Sequence, residues 1–528
     1  MPIRMTDDPI DPNQQDDDGG GGRRRPTFPG GGGGGLMSLL PMLLGLFKGK
    51  GIFFLLIIGA AAYFFIFRGG GCNVAEVVKK FSTSGYNFDK NEFNKASVYE
   101  GLEDNATKNP LPEAVSLLRF APDRGNQGQQ GSCVAWSCAY SAQTILTAAA
   151  TGQDPNQIVF SPSYLYNQIK LEGCQGSYLQ RAMEAMRANG GVPLSRYPYN
   201  DQDCDRVPGE SAIQVGKENV IHGFTRITNG DNINEISVRG IKEHLAGNAP
   251  VAIGMMVGQS FMQDMMGQEL WQPSGIDESQ MGMGGHAMSV IGYDDRKFGG
   301  AFQIMNSWGP QWGKNGVAWV KYGDFKNYVR EAYGIDPLPK RSNVANIPLE
   351  CNIGLVDNNS GKNIPLRVVG GSNMFQTASP IAIGTRFKMS IKNATECYIY
   401  VFGKDTNSTS YVLFPYLKPG EAVSKHSPYC GITGYRLFPK AQSFEADNIG
   451  NKDEIAIVVS KDELDYNALN AAISRSTRPD YFSRVNEALQ SIMIRTARFS
   501  NTNDGTIYFK VDANSNKAVA CVVAIDKR

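Results

Sequence analysis

The chain is short of charge of either sign in excess. Lys and Arg number 52 against 51 for Asp and Glu over 528 residues. Such a balance gives no electrostatic reason to expect a nucleic-acid partner. No two cysteines stand in CxxC spacing and there is no HExxH sequence. The usual sequence signs of a zinc site are therefore missing, and neither a metal nor a cofactor is expected. The nine cysteines (72, 133, 138, 174, 204, 351, 397, 430 and 521) are too sparse for a disulfide scaffold. Their odd count fits one free thiol plus up to four bridges. Histidine is scarcest of the reactive types, with four: His222, His244, His286 and His426. Chemistry that needs an imidazole base must draw on one of them.

What is present divides the chain. Residues 1–35 are low-complexity, with an acidic run, a basic triplet (Arg23 to Arg25) and two glycine runs, and are too poor in apolar residues to build a core. Two apolar blocks follow, 36–47 and 52–67, separated by Lys48-Gly-Lys50-Gly51. The second block carries 16 uncharged residues, and we read 52–67 as a single membrane span within an anchor region 36–68. Five positive residues precede the span (Arg23, Arg24, Arg25, Lys48, Lys50) and three follow (Arg68, Lys79, Lys80). The positive-inside rule then keeps the N-terminus in the cytosol and puts the remainder in the periplasm or outside the cell. Residues 69–110 read as a stalk or short pro-region.

From Leu111 the sequence becomes globular. Val134 to about Thr151, Phe160–Tyr166 with Ser161 as cap and Pro162 in the first turn, Tyr178–Ala188 and Ile236–Leu245 carry helical spacing. After Pro250 the pattern shifts to short apolar runs bounded by Gly, Asn and Asp: Val251–Met256, Ala287–Tyr293, Ala301–Met305 and Gly316–Tyr322. These predict strands of an antiparallel sheet or barrel. A helical half followed by a β half makes a cleft between them natural.

Three stretches carry chemistry. Cys133 follows the loop Asn126-Gln127-Gly128-Gln129-Gln130-Gly131-Ser132 and opens the first helix. The positive end of a helix dipole favours its thiolate, the nucleophilic form. Gln127 lies six residues earlier, on a loop able to bring its amide beside the sulfur. A buried structural cysteine is the competing reading of this stretch alone. His286 follows Met-Gly-Met-Gly284-Gly285 and starts a strand, where glycines permit close approach of another chain. Asn306 ends the next apolar run and opens Asn306-Ser-Trp308-Gly309. An Asn oxygen there is able to orient one imidazole nitrogen while Trp308 shields the bond. His222, His244 and His426 read as structural or solvated.

In order, local context and separation, Gln127, Cys133, His286 and Asn306 resemble the papain-like cysteine peptidases. The resemblance runs over about residues 111–337. It also takes in Leu111-Pro112, Gly173-Cys174-Gln175-Gly176 and Tyr197-Pro198-Tyr199. It implies an α+β papain-like fold, with the active site in the cleft between a helical half and an antiparallel β-barrel half. Cys133 would be the nucleophile, His286 the base, Asn306 its orienter and Gln127 an oxyanion donor. Gly176, Ser177, Gly285 and Trp308 would bind substrate. Gln130 stands where the family carries a second cysteine bridged to the Gly-Cys loop, so Cys174 either is free or needs another partner, with Cys138 and Cys204 as candidates. No long helical propeptide of the family kind is visible. Any latency must come from the segment before Leu111 or from a partner.

Beyond about residue 341 a β-rich region with two helices (Glu463–Ile473, capped by Ser460, and Phe482–Met493) closes with a predicted hairpin, Thr506–Asp512 and Ala518–Ile525. It resembles a bacterial β-rich accessory domain of unknown function, a positioning or binding module that would engage a cell-envelope partner. The expected whole is a membrane-anchored, outward-facing thiol endopeptidase acting on peptide or protein substrates. The alternatives are an inactive papain-fold binding protein, or a transpeptidase or amidase using the same acyl-enzyme.

Overall fold

The computed structural model describes residues 3–7, 85–103, 107–230, 232–275, 277, 283–338, 348–369, 373–417, 424–440, 442–513 and 516–528. The expected span and basic triplet lie outside them. Among the described residues no helix is long and apolar enough to cross a membrane.

The first half of the globular region is helical, as its 3.6-residue spacing predicts. A continuous run opens with Cys133–Ala135, passes through a π-helical Trp136–Gln143 and ends as Thr144–Thr151, closed by Gly152 in the left-handed conformation. Its Ala-rich composition lets neighbours pack close on every side, and Cys133 to Leu146 is buried throughout. Around it stand Pro162–Ile169, where the Ser161 hydroxyl accepts from the Tyr164 N–H, and Leu179–Asn189, ended at Gly190. The fourth expected helix is Val238–Ala246, capped by Ser237.

The second half is one twisted sheet. Its order is Phe224–Arg226, Val329–Ile335, Val251–Val257, Gly284–Asp294, Ala301–Met305, Val317–Lys321 and Leu270–Trp271. All neighbours run antiparallel except the last pair. The four predicted strands occur with their ends within three residues of expectation, the largest difference being the start of Gly284–Asp294. The helical run is fastened to the sheet by a reciprocal pair. Ser137 Oγ donates to the Met288 carbonyl at 2.7 Å, and Ser289 Oγ donates to the Ser137 carbonyl at 2.9 Å.

The C-terminal region is a sandwich of two sheets with a helical layer. Alternation decides the layers. In Lys452–Ser460, Ile455, Ile457 and Val459 enter the core between the sheets, while Ala456 and Val458 meet the helices. Those helices are Tyr466–Arg475 and Tyr481–Leu489. Asp465, not Ser460, caps the first, because Ser460 is still inside the strand. The predicted closing hairpin does not form. Ile507–Val511 pairs with Leu349–Asp357 in one sheet, and Ala518–Asp526 pairs with Lys452–Ser460 in the other. Both strands are apolar enough to seek the common core, so the short connection carries the chain across it rather than folding back.

Ile3–Asp7 adds a strand to this sandwich, pairing antiparallel with Gln442–Ala446. A chain crossing a membrane once between Asp7 and Gly85 would hold those two strands on opposite sides. The pairing and the single-crossing expectation exclude each other within one molecule.

Candidate active site

Cys133 begins its helix directly after the glutamine-rich loop and is fully buried. Its Sγ accepts from the Ala287 backbone N–H at 3.4 Å, so the thiol lies against the residue that follows His286. Burial pushes the Cys133 thiol up to about 12, against the hydrogen bonds from the backbone N–H groups of Ala287, Val134 and Cys133 itself. The helix start favours a thiolate, but desolvation outweighs it in this closed arrangement.

His286 is buried in the strand Gly284–Asp294, opposite Met255. Its Nε2 is 2.7 Å from Asn306 Oδ1. The Ser307 backbone N–H donates to the same oxygen at 2.7 Å. A backbone N–H only donates, so the oxygen must face it, and His286 Nε2 must then carry a hydrogen to make its own bond. In the neutral ring Nδ1 is thereby the basic nitrogen. Trp308 stacks on the imidazole with centroids 4.3 Å apart and planes at 28°, covering the His286–Asn306 bond.

Gln127 is buried, and both ends of its amide are held. Ser307 Oγ donates to Oε1 at 2.7 Å, and Nε2 donates to the Gln130 carbonyl at 2.9 Å. One amide hydrogen is thus used within the loop. Gln130 stands where a bridging cysteine was missed, and a tyrosine does the fastening. Tyr199 Oη donates to the Gln127 carbonyl at 2.7 Å and lies 2.7 Å from Ser132 Oγ. Gln130 Nε2 donates to the Asn200 carbonyl at 3.2 Å. Of the two candidate partners for Cys174, Cys204 makes the disulfide, while Cys138 is free and buried within the helical run. The bridge occupies both thiols of the Cys174, Cys204, Asp205 cluster, the one metal-like grouping among the described residues.

The cleft is filled by the chain itself. Ser177 N–H donates to the Gly85 carbonyl at 2.9 Å, and the Asn87 N–H donates to the Ser177 carbonyl at 3.0 Å. Tyr86 and Ser177 form a parallel bridge. Asn87 Nδ2 adds a bond to the Gln175 carbonyl at 3.1 Å. The Gly85 backbone runs beside Gly131 and Gly176, and the Tyr86 backbone lies against Gly285, where a side chain would collide with it. The Tyr86 ring lies directly over Gly254 and enters a buried pocket toward Glu331. Burial raises the Glu331 carboxyl to about 8, offset in part by the hydroxyls of Tyr86 and Tyr333, the latter donating at 3.1 Å. Of the expected substrate residues, Gly176, Ser177 and Gly285 therefore meet this strap, and Trp308 meets His286.

The other histidines sit elsewhere. His244 is inside a helix with Nδ1 2.8 Å from the Gly240 carbonyl. His222 meets the Tyr398 hydroxyl at 2.6 Å and His426 meets Glu100, both at the boundary with the C-terminal sandwich. Sequence reasoning passed over Ser307, Tyr199, Glu331 and Tyr86. Ser307 adjoins a recognised residue and Tyr199 lay in a noted motif. Glu331 and Tyr86 carry no local signal, since their meaning comes from a pocket built by distant strands.

With this geometry in view, the similarities to known proteins are specific. Residues 122–335 match a family model described as papain family cysteine protease, and this part of the chain has the papain-like fold. Mouse cathepsin K is 28% identical over 212 residues, 39% of this chain and 59% of that protein. Human cathepsin L2 is 29% identical over 232 residues, 41% of this chain and 62% of that protein. The chain thus spans about three fifths of the length of these curated relatives. Among solved structures, xylellain, a cysteine protease from Xylella fastidiosa, aligns with 21% identity and a TM-score of 0.40, covering 49% of this chain and 97% of that one.

Proposed function

We propose that this protein is a cysteine endopeptidase that hydrolyses peptide bonds through Cys133, His286, Asn306 and Gln127. The observation that carries the reading is an extended backbone, the chain's own Gly85–Asn87, hydrogen-bonded along Ser177 in the cleft that holds Cys133. A groove that accepts one extended peptide by its main chain accepts others. Once the cleft is vacated, water and substrate reach Cys133. His286 Nδ1 takes the thiol proton and the thiolate attacks the carbonyl carbon, forming a C–S bond. The Cys133 backbone N–H and the Gln127 amide hold the oxyanion. His286 returns the proton to the leaving amine as the C–N bond breaks, then removes one from water, whose oxygen displaces the thiol. Asn306 keeps Nε2 occupied throughout.

The substrate side chain next to the scissile region enters the pocket now filled by Tyr86. Gly254 and Gly285 give it room, and the Glu331 carboxyl at its end suits a phenolic or basic group.

Cys133→Ala in the full chain is expected to abolish cleavage of a peptide library and labelling by a thiol-directed epoxide. Full labelling retained in that variant would assign the nucleophile elsewhere. Partition of the acyl-enzyme between water and an added amine separates hydrolysis from transpeptidation. Attachment to a membrane through 36–68, in an arrangement that leaves Ile3–Asp7 on the same side as the body and outside the cytoplasm, completes the proposal, and a positioning or envelope-binding role falls to the C-terminal sandwich.

A further inference from the structure

The strap that fills the cleft is held far from the cleft. After Asp89 caps the short helix Lys90–Lys95, Phe93 packs edge-on against Tyr333 at 5.4 Å. The chain then enters a seam with two walls. The peptidase wall supplies Arg226, whose N–H donates to the Ser97 carbonyl at 2.8 Å and whose carbonyl accepts from Tyr99 N–H at 3.0 Å. It also supplies the buried Glu243 carboxylate, which accepts from Leu102 N–H at 3.0 Å and Tyr99 Oη at 3.1 Å.

The other wall is the C-terminal sandwich. The Lys425 carbonyl accepts from Val98 N–H, and Val98 bridges His426 on one side and Arg226 on the other. His426 pairs with Glu100, which is 6% exposed. The Tyr435 carbonyl accepts from Glu103 N–H at 3.0 Å and from Asn109 Nδ2 at 2.6 Å, while Tyr435 N–H donates to Asn109 Oδ1 at 2.9 Å. Val98 is thus bridged on both sides, an arrangement that neither domain completes alone. Beside it lies a cavity of ≈ 640 Å³ lined in part by Leu102, Asn109, Glu243, Ile432 and Gly434. Hydrogen bonds, rather than close apolar packing, therefore carry this part of the seam.

We infer that the C-terminal sandwich is a clasp that keeps Gly85–Asn87 in the cleft, through the seam of Val98, Glu100, Glu103 and Asn109 with Lys425, His426 and Tyr435. The inference rests on the peptidase reading above. Strap-in and strap-out states are in equilibrium, and only the second exposes Cys133. Contacts made only in the strap-in state set the exposed fraction, so removing them speeds reaction at the thiol without touching the catalytic groups. A partner that pulls Lys425, His426 or Tyr435 away would open the enzyme by the same route.

The test uses the full chain in detergent micelles and follows the rate at which a thiol-directed epoxide labels Cys133. Asn109→Ala and His426→Ala are each expected to raise that rate by about tenfold or more over the parent, the factor for one lost buried hydrogen-bond set. Amide hydrogen exchange at Asn87 and Ser177 should rise in step, reporting strap release independently of catalysis. Glu100→Gln keeps the side-chain shape and removes only its charge, so it carries the same test should either Ala variant fold poorly. Tyr86→Ala, which empties the pocket directly, is the control for the site. Fast labelling in Tyr86→Ala, with clasp variants as slow and as protected as the parent, overturns the clasp while leaving the peptidase reading intact. No labelling even in Tyr86→Ala overturns the peptidase reading, and the clasp with it.

Discussion

At the residue scale, the closed site is governed by desolvation. Cys133 stands where a helix dipole should lower its pKa, yet burial raises it to about 12. The closed arrangement thus keeps the thiol protonated. Glu331 is the second case, raised by burial from an ordinary 4.5 to about 8. Between those two values the unfolded chain has lost a proton that the folded chain keeps. Unfolding free energy must then fall with rising pH, by up to ~1.4 kcal/mol per unit. This group's contribution is fully present below about pH 4.5 and is lost as pH rises through about 8. Glu331→Gln removes the titration and keeps the shape. Its loss of stability between about pH 5 and pH 8 is expected to be smaller than the parent's by on the order of 3 kcal/mol. Denaturant unfolding at both pH values checks this, and equal losses in parent and variant would refute a neutral buried Glu331. Cys133, His286, Asn306 and Gln127 were legible in the sequence because each sits in a short motif whose residue types already state a chemistry. Tyr86 and Glu331 were not, since a tyrosine and a glutamate become pocket residues only when a strap and a strand meet.

At the scale of elements, the loop before Cys133 shows how one fastening replaces another. The sequence lacks the cysteine that would bridge this loop, and the substitute is a set of hydrogen bonds centred on the Tyr199 hydroxyl and the Gln130 amide. Tyr199→Phe removes one hydroxyl that both donates and accepts, leaving Ser132 and the Gln127 carbonyl short of a partner. It is expected to cost about 1–3 kcal/mol, read by thermal or denaturant unfolding. It should also lower kcat more than it raises KM, because the loop carries Gln127, the proposed oxyanion donor. A loss confined to stability would show that the loop keeps its shape without Tyr199. The strands of the papain-like half were readable from period-two runs, and the helices from caps such as Ser161 and Ser237. The closing hairpin was misread. Two apolar runs joined by a polar turn look alike whether they pair with each other or with separate sheets. Only the competing partners Leu349–Asp357 and Lys452–Ser460 decide.

At the scale of the whole molecule, the C-terminal sandwich touches three separate parts of the chain: the peptidase half at His222, the strap at Val98 to Asn109, and the N-terminal strand Ile3–Asp7. The last contact bears on membrane arrangement. With Ile3–Asp7 paired to Gln442–Ala446, the N-terminal strand stays with the body on one side of any membrane to which the chain is attached. A tag placed before Ile3 and a tag after Arg528 are then expected to be digested together by protease added to sealed vesicles, or protected together. Opposite outcomes for the two tags would mean that the N-terminal pairing is not made in the anchored protein.

The sequence by itself determined the order of helices then strands, the papain-like resemblance over residues 111–337 and the four groups proposed for the reactive site. Those features are local. A cap, an apolar period or a cysteine at a helix start acts over a few residues, and each survives in the linear string. The tertiary structure alone decided that Cys174 takes Cys204, that Tyr86 plugs a pocket ending in Glu331, and that Val98 is shared between two domains. These are choices among distant partners of nearly equal local character. They are settled by which surfaces the packed layers bring within hydrogen-bond reach, and periodicity does not encode that.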